Sequence, residues 1–190
     1  MAGMERNKSA GIPRRKEIPF ERLVVPVVHA WDRQWLLLAC GDFAKQDFNC
    51  MTVGWGSFGV MWKKPFAMVV VRPTRHTRGY MDRSNSFTLC AFPEEHRRKL
   101  SYCGSRSGRD EDKVKACGLT PIASRVVASP GFDEAELIVE CRKMYADDFD
   151  PALFLDPSID ANYPNKDYHR MYFGEIVALS GTPAYRMGDQ

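Results

Sequence analysis

Three guanidinium groups and two hydroxyls fall within eight residues at Val71-Arg72-Pro73-Thr74-Arg75-His76-Thr77-Arg78. That set suits a phosphate monoester. Arginine forks pair with phosphate oxygens, threonine hydroxyls add neutral donors, and a helix opening after the turn adds the partial positive charge of its first amides. A solvated basic turn has the same composition, and the G-x-x-x-x-G-K of a P-loop is absent. A second cluster, Asn49-Cys50-Met51-Thr52-Val53-Gly54-Trp55-Gly56, breaks a strand-like run with small and polar residues. Its glycines, with Gly59, permit close approach of a flat ligand whose heteroaromatic edge Asn49 and Thr52 can bond, although a barrel corner accounts for the glycines equally well. The loop Cys103-Gly104-Ser105-Arg106-Ser107-Gly108-Arg109-Asp110, leading to Lys113, has the composition of a segment that closes over a ligand or of an ordinary surface connection. His169 precedes the last apolar run and faces either the same pocket or solvent.

The elements that must position these groups read as short strands bounded by turn residues. The strand-like runs are LVVPVVHA (23–30), WLLLAC (35–40), residues 48–55, FAMVVVRP (66–73), SFTLCAF (86–92), AELIVECRKMYADD (135–148) and MYFGEIVALSG (171–181). Pro26 marks the first as an edge or bulged strand, because proline donates no ladder hydrogen bond. Short helices are predicted at 77–83 with Thr77 as N-cap, at 93–103, and at 110–117 stopped by Gly118. The spacing is that of a mainly β, antiparallel barrel with short helices, not of a parallel α/β sheet.

One domain over residues 21–190 is expected from 190 residues at 44% hydrophobic, with 1–20 a flexible, basic N-terminal arm. No apolar run reaches the twenty or so residues needed to span a membrane, and the N-terminus lacks an apolar signal core. Six cysteines without C-x-x-C pairs fit reduced thiols in a cytoplasm, each a small buried hydrophobe, with Cys103 the one candidate for reactivity. Charge is uneven. Residues 72–109 hold nine Lys/Arg against three Asp/Glu, and 110–190 hold eight against fifteen. The cationic block suits an anionic cofactor, nucleic acid or solvent. A nucleic-acid module is disfavoured because the arginines adjoin threonines and glycines in a compact turn and no RNA-binding motif is present.

Taken in order, N-x-M-T-x-x-W-G, W-x-K-P at Trp62 to Pro65, V-R-P-T-R-x-T, F-T-L-C, C-G-x-x-S-G-R-D-x-D-K, A-x-G-L-T and Y-x-G-E-I resemble the flavin reductase-like, or flavoredoxin-like, family over residues 40–178. The resemblance implies an FMN-binding split β-barrel, a homodimer with the flavin near the subunit interface. It places Asn49, Met51, Thr52 and Trp55 along the isoalloxazine and ribityl chain. Arg72, Thr74, Arg75, Thr77 and Lys113 are placed at or near the phosphate, Ser107 among the cofactor-binding residues, and His169 at the pocket. NAD(P)H is the implied transient electron donor, docking without a G-x-G-x-x-G fingerprint, and a small molecule or a protein is the acceptor. A non-catalytic FMN electron carrier is the rival reading. Residues 147–166, rich in Asp and Pro, depart from the simplest family pattern on the substrate side.

Overall fold

The computed structural model describes residues 14–188. Ten strands form: β1 (Lys16–Glu17), β2 (Leu36–Asp42), β3 (Asp47–Val53), β4 (Gly56–Met61), β5 (Lys64–Val71), β6 (Ser86–Ala91), β7 (Pro121–Ile122), β8 (Gly131–Phe132), β9 (Leu137–Asp148) and β10 (Arg170–Gly181). Eight of them make one antiparallel sheet in the order β3-β2-β6-β9-β10-β5-β4, with β1 added on β10. The end strands β3 and β4 are consecutive in the chain and separated only by Gly54 and Trp55. A flat sheet would hold its ends many strand widths apart, so this sheet must curl until they meet at that corner. Side chains from β2, β3, β5, β6, β9 and β10 accordingly share one core inside the curl, among them Leu38, Met51, Val69, Leu89, Val139 and Ile176.

A second apolar layer lies outside β2, β3 and β6, where Leu37, Cys50 and Cys90 pack on Leu100 and Cys103 of α3 (Arg97–Ser105) and on Leu119, Phe132 and Ala135. Burial on both faces explains why the run at residues 36–40 is continuously apolar instead of alternating. The remaining helices are α1 (Val27–His29), α2 (His76–Arg83) and α4 (Lys113–Ala116). Asp112 caps α4 by accepting from the Lys115 amide at 3.1 Å, and Gly118 ends it at φ +56°.

Three sequence expectations are corrected here, and one strand that no expectation covered, β4, is added. Residues 23–30 are not a strand: after an isolated bridge from Leu23 to Arg186, the chain turns into α1 and a wider helical turn at Ala30–Gln34. Pro26 needs no donor at that helix start, and its carbonyl accepts from the Ala30 amide at 2.8 Å. β4 escaped notice because glycine, serine and exposed residues disguise it. It forms a hairpin with β5 through Trp62 and Lys63, both at positive φ (+52° and +59°) as a tight two-residue turn requires. Thr77 is not the N-cap of α2; Arg75 holds that position, and Thr77 is 1% exposed in the first turn. The expected arm at 1–20 lies partly outside the described residues, but its described part is docked. Lys16 and Glu17 pair with β10, and Ile18 is buried in the barrel core.

Candidate functional site

Two neighbouring cavities open where β3, the β5–α2 turn and the loop after α3 converge. The smaller, about 140 Å³, is lined by Met51, Thr74, Arg75, His76, Thr77, Cys103, residues 105–109 and Lys113. Lys113 is 4% exposed, and its Nζ donates to the carbonyls of Cys50 (2.6 Å) and Cys103 (3.1 Å). No carboxylate pairs with it among the described residues. An ammonium has three donors, so one remains for the cavity, and a buried cation without a counter-ion favours an anion there. Arg75, anchored by donating to the Gly104 carbonyl at 2.9 Å, adds a second cation. The eight-residue helix α2 begins beside it.

The larger cavity, about 220 Å³, is lined by Met51, Thr52, Val53, Gly54, Trp55, Val70, Arg72, Arg75 and His169. Met51 and Arg75 line both, so the two form one elongated site with a cationic end and a mixed end where Met51, Val53, Trp55 and Val70 meet Arg72 and His169. Trp55 is half exposed, its ring 5.2 Å from that of His169. A larger hollow of about 710 Å³ lies elsewhere, against the β2–β3 turn and the end of α2. Of its charges, Lys45 pairs with Asp42 at 3.1 Å and Arg83 with Asp47 at 3.2 Å, while Lys143 donates to the Met81 carbonyl and Arg142 also lines it.

The sequence model of the flavin reductase-like domain matches residues 33–184. The chain belongs to the flavin reductase-like family. Among solved structures it is similar to an FMN-binding domain of a flavin reductase-like enzyme from Shewanella baltica (TM-score 0.66, 14% identity, 90% of this chain and 79% of that one). It is also similar to flavoredoxin from Methanosarcina acetivorans (TM-score 0.63, 20% identity, 98% and 79%) and to nitrilotriacetate monooxygenase component B from Bacillus cereus (TM-score 0.62, 15% identity, 97% and 83%). The curled, open sheet is thus the split barrel expected of the family. No curated protein matches the sequence.

For a flavin reductase-like protein, the structure brings together most of the residues the motifs single out, but in different roles. Thr74, Arg75, Thr77, Ser107 and Lys113 surround the smaller cavity; Met51, Thr52, Trp55 and His169 line the larger. Arg72 does not reach the cationic end. It lines the larger cavity with its charge neutralised by Asp167 at 2.8 Å, a second nitrogen on the Asn162 carbonyl, and its plane over Tyr163. Asn49 lines neither cavity: its Nδ2 donates to Thr77 Oγ1 at 3.0 Å, and Gly108 presses so closely that a Cβ there would meet Asn49 Oδ1 at 2.5 Å. Thr52 lines the site but its hydroxyl donates to the Leu100 carbonyl. Cys103 is 1% exposed, and contact with Cys50 followed by burial holds its thiol above the usual range, so it is not the reactive thiol considered from sequence. All six cysteines are free.

Ser105, Arg106 and Arg109 also line the smaller cavity, and the glycine loop that carries them is their signal in the sequence. Tyr163 was missed outright. It is 2% exposed, stacks on Phe154 at 6.2 Å, and its hydroxyl lies 2.8 Å from His169 Nδ1. Its only sequence signal was the aromatic content of the departing segment.

Burial first, then the neighbouring Arg72, pushes the His169 imidazole down to about 4 from its ordinary 6.5. Between those two pH values the unfolded chain holds a proton that the folded chain does not, so stability falls on acidification through this window and levels off below it. From pH 7 to pH 5 the expected loss is about 1.5 to 2 kcal/mol. Urea midpoints at both pH values for wild type and His169→Gln measure this, and the variant should lose that much less. Equal pH slopes in the two proteins would refute the assignment.

Proposed function

We propose that the chain binds one FMN per subunit, with the phosphate in the smaller cavity against Lys113 and Arg75 and the flavin ring in the larger one beside Met51 and Trp55. The observation that carries this reading is Lys113, a buried cation with a donor to spare at the narrower end of a site whose other end carries Met51, Val70 and the Trp55 and His169 rings. Bound there, FMN would supply hydride and electron transfer between NAD(P)H and a small-molecule or protein acceptor. The chain's own residues bind and orient. Lys113, Arg75 and the Ser107 loop hold the anion, Met51 and Val70 exclude water, and His169 stays neutral at the ring end. On this reading the protein is a flavin reductase-like oxidoreductase of a reducing compartment, the cytoplasm. Flavin reduction without appreciable NADH or NADPH turnover would assign it instead as an electron carrier.

FMN titration of purified protein tests the site, with riboflavin, which lacks the phosphate, as the matched probe. Arg75→Ala is expected to weaken FMN by roughly ten- to a hundredfold, since a charge-assisted hydrogen bond contributes about 1.5 to 3 kcal/mol. Riboflavin should be nearly unaffected. Arg98→Ala, on the exposed side of α3, should change neither. Equal weakening of riboflavin and FMN by Arg75→Ala would assign the residue to the ring or the fold.

A homodimer completes this reading. On the sheet face away from the barrel core, Met61 and Tyr145 are exposed with Trp62 at the adjoining turn, and Trp62, Tyr145, Phe66 and Phe173 form one aromatic cluster. An apolar patch of this kind favours cover by another subunit. Sedimentation is expected to give a dimer at micromolar concentration, and Trp62→Glu to shift it toward monomer. A wild-type monomer with FMN bound would contradict it.

A further inference from the structure

We propose that Tyr163 is a positioning residue: its hydroxyl donates to Nδ1 of His169, fixing the imidazole as the Nε2–H tautomer, which presents a neutral donor to the larger cavity. The ligand identity rests on the FMN reading above, the donor meeting an oxygen or nitrogen acceptor on the polar edge of the flavin ring. The tautomer assignment itself does not depend on it.

The argument is one of hydrogen-bond accounting. Tyr163 and His169 are 2% and 9% exposed, and their contact is 2.8 Å. Apart from the backbone amide of His169, which can only donate to it, the Tyr163 hydroxyl has no other partner among the described residues. If Nδ1 carried the proton, the hydroxyl would have to accept, and its own proton would point at nothing in a buried setting. The cost of an unsatisfied buried donor favours the other arrangement by about tenfold or more. Nε2 then carries the hydrogen. It has no protein partner among the described residues, while the ring lines the cavity beside Trp55. Double protonation is opposed by what surrounds the ring. Arg72 and Arg75 disfavour a second charge, and the one carboxylate nearby, Asp167, is already paired to Arg72.

The Tyr163 ring is held on several sides. Phe154 stacks on it, Tyr168 packs at 4.8 Å and the Arg72 guanidinium lies over it at 5.0 Å. Around it, Asp150 and Asp156 cap the short turns Pro151–Leu153 and Pro157–Asn162, and Lys166 and Tyr168 both donate to Asp160. The segment between β9 and β10 thus acts on the site through His169, oriented by the Tyr163 hydroxyl, and through Asp167 and the Asn162 carbonyl, which hold Arg72.

The test uses the full-length protein labelled with 15N at histidine. In the flavin-free wild type, long-range proton–nitrogen correlation should show His169 with a protonated Nε2 and a bare Nδ1. Tyr163→Phe, with its fold checked by the amide spectrum, should move the population toward that of a free imidazole. A wild-type Nδ1–H tautomer, or a population unchanged in Tyr163→Phe, overturns the proposal. In titrations, Tyr163→Phe should weaken FMN and riboflavin by the same factor, about three- to tenfold, because His169 acts at the ring and not the phosphate. A changed tautomer with both affinities intact overturns the positioning role. If wild type binds neither flavin, it is the FMN reading that fails, and the tautomer result stands on its own.

Discussion

Lys113→Met is expected to weaken FMN binding by about a hundred- to a thousandfold while leaving riboflavin binding within a few-fold of wild type. Removing one member of a buried, hydrogen-bonded charge pair costs about 2 to 5 kcal/mol, much of it because the remaining charge is left without a partner. On the FMN reading that remaining charge is the phosphate. Methionine has nearly the length of lysine and no charge, so it fills the space under the Cys50 and Cys103 carbonyls without offering donors. The apoprotein should stay folded, because the lost hydrogen bonds are offset by relief from burying an ammonium. Calorimetric titration of both ligands checks this. Parallel loss of riboflavin and FMN would show that Lys113 serves the fold by tying β3 to the end of α3.

Gly56→Ala is expected to destabilise the protein by about 3 kcal/mol or more, at the upper end of what an inserted methyl costs in a packed interior. A Cβ at this position would sit 2.3 Å from the Met68 carbonyl oxygen on β5 and 2.4 Å from the Trp31 ring. Neither neighbour is free to yield. Met68 is paired in the sheet, and Trp31 is 5% exposed beneath the corner, packed on Phe58 at 5.3 Å. Gly188→Ala, where a Cβ would meet nothing within 4 Å, is the matched control and should change the urea midpoint very little. Because Gly56 adjoins Gly54 and Trp55, whatever folded Gly56→Ala survives should also bind flavin more weakly. A midpoint equal to that of the control would mean that the β3–β4 corner is far softer than its contacts imply.

Much of this architecture was legible in the chain because strands announce themselves locally. The runs at residues 66–73, 86–92, 135–148 and 171–181 carry their β-branched and aromatic residues in strand-like order, and the observed strands fall there. The ordered series of short motifs likewise identified the family and brought the R-P-T-R-x-T turn, the glycine loop and Trp55 to one site. Where local pattern was ambiguous, the reading went astray. The run at 23–30 is apolar enough for a strand, and only the docking of Ala30 and Trp31 into the core makes it helical. β4 carries no apolar alternation, and its place follows from pairing with β5.

By itself the sequence determined which residue types lie near one another along the chain, and hence the family, the strand-forming segments and the presence of a cationic, glycine-bordered cluster. Only the tertiary structure decided which of those groups keep their bonding capacity for a ligand. Asn49 donates to Thr77 Oγ1, 28 residues away, and Arg72 is neutralised by Asp167, 95 residues away. Lys113 instead meets two backbone carbonyls and no carboxylate among the described residues. The physical reason is that a buried donor must be paired somewhere, and the partner that wins is set by long-range packing and desolvation, to which neighbouring letters in the chain contribute little.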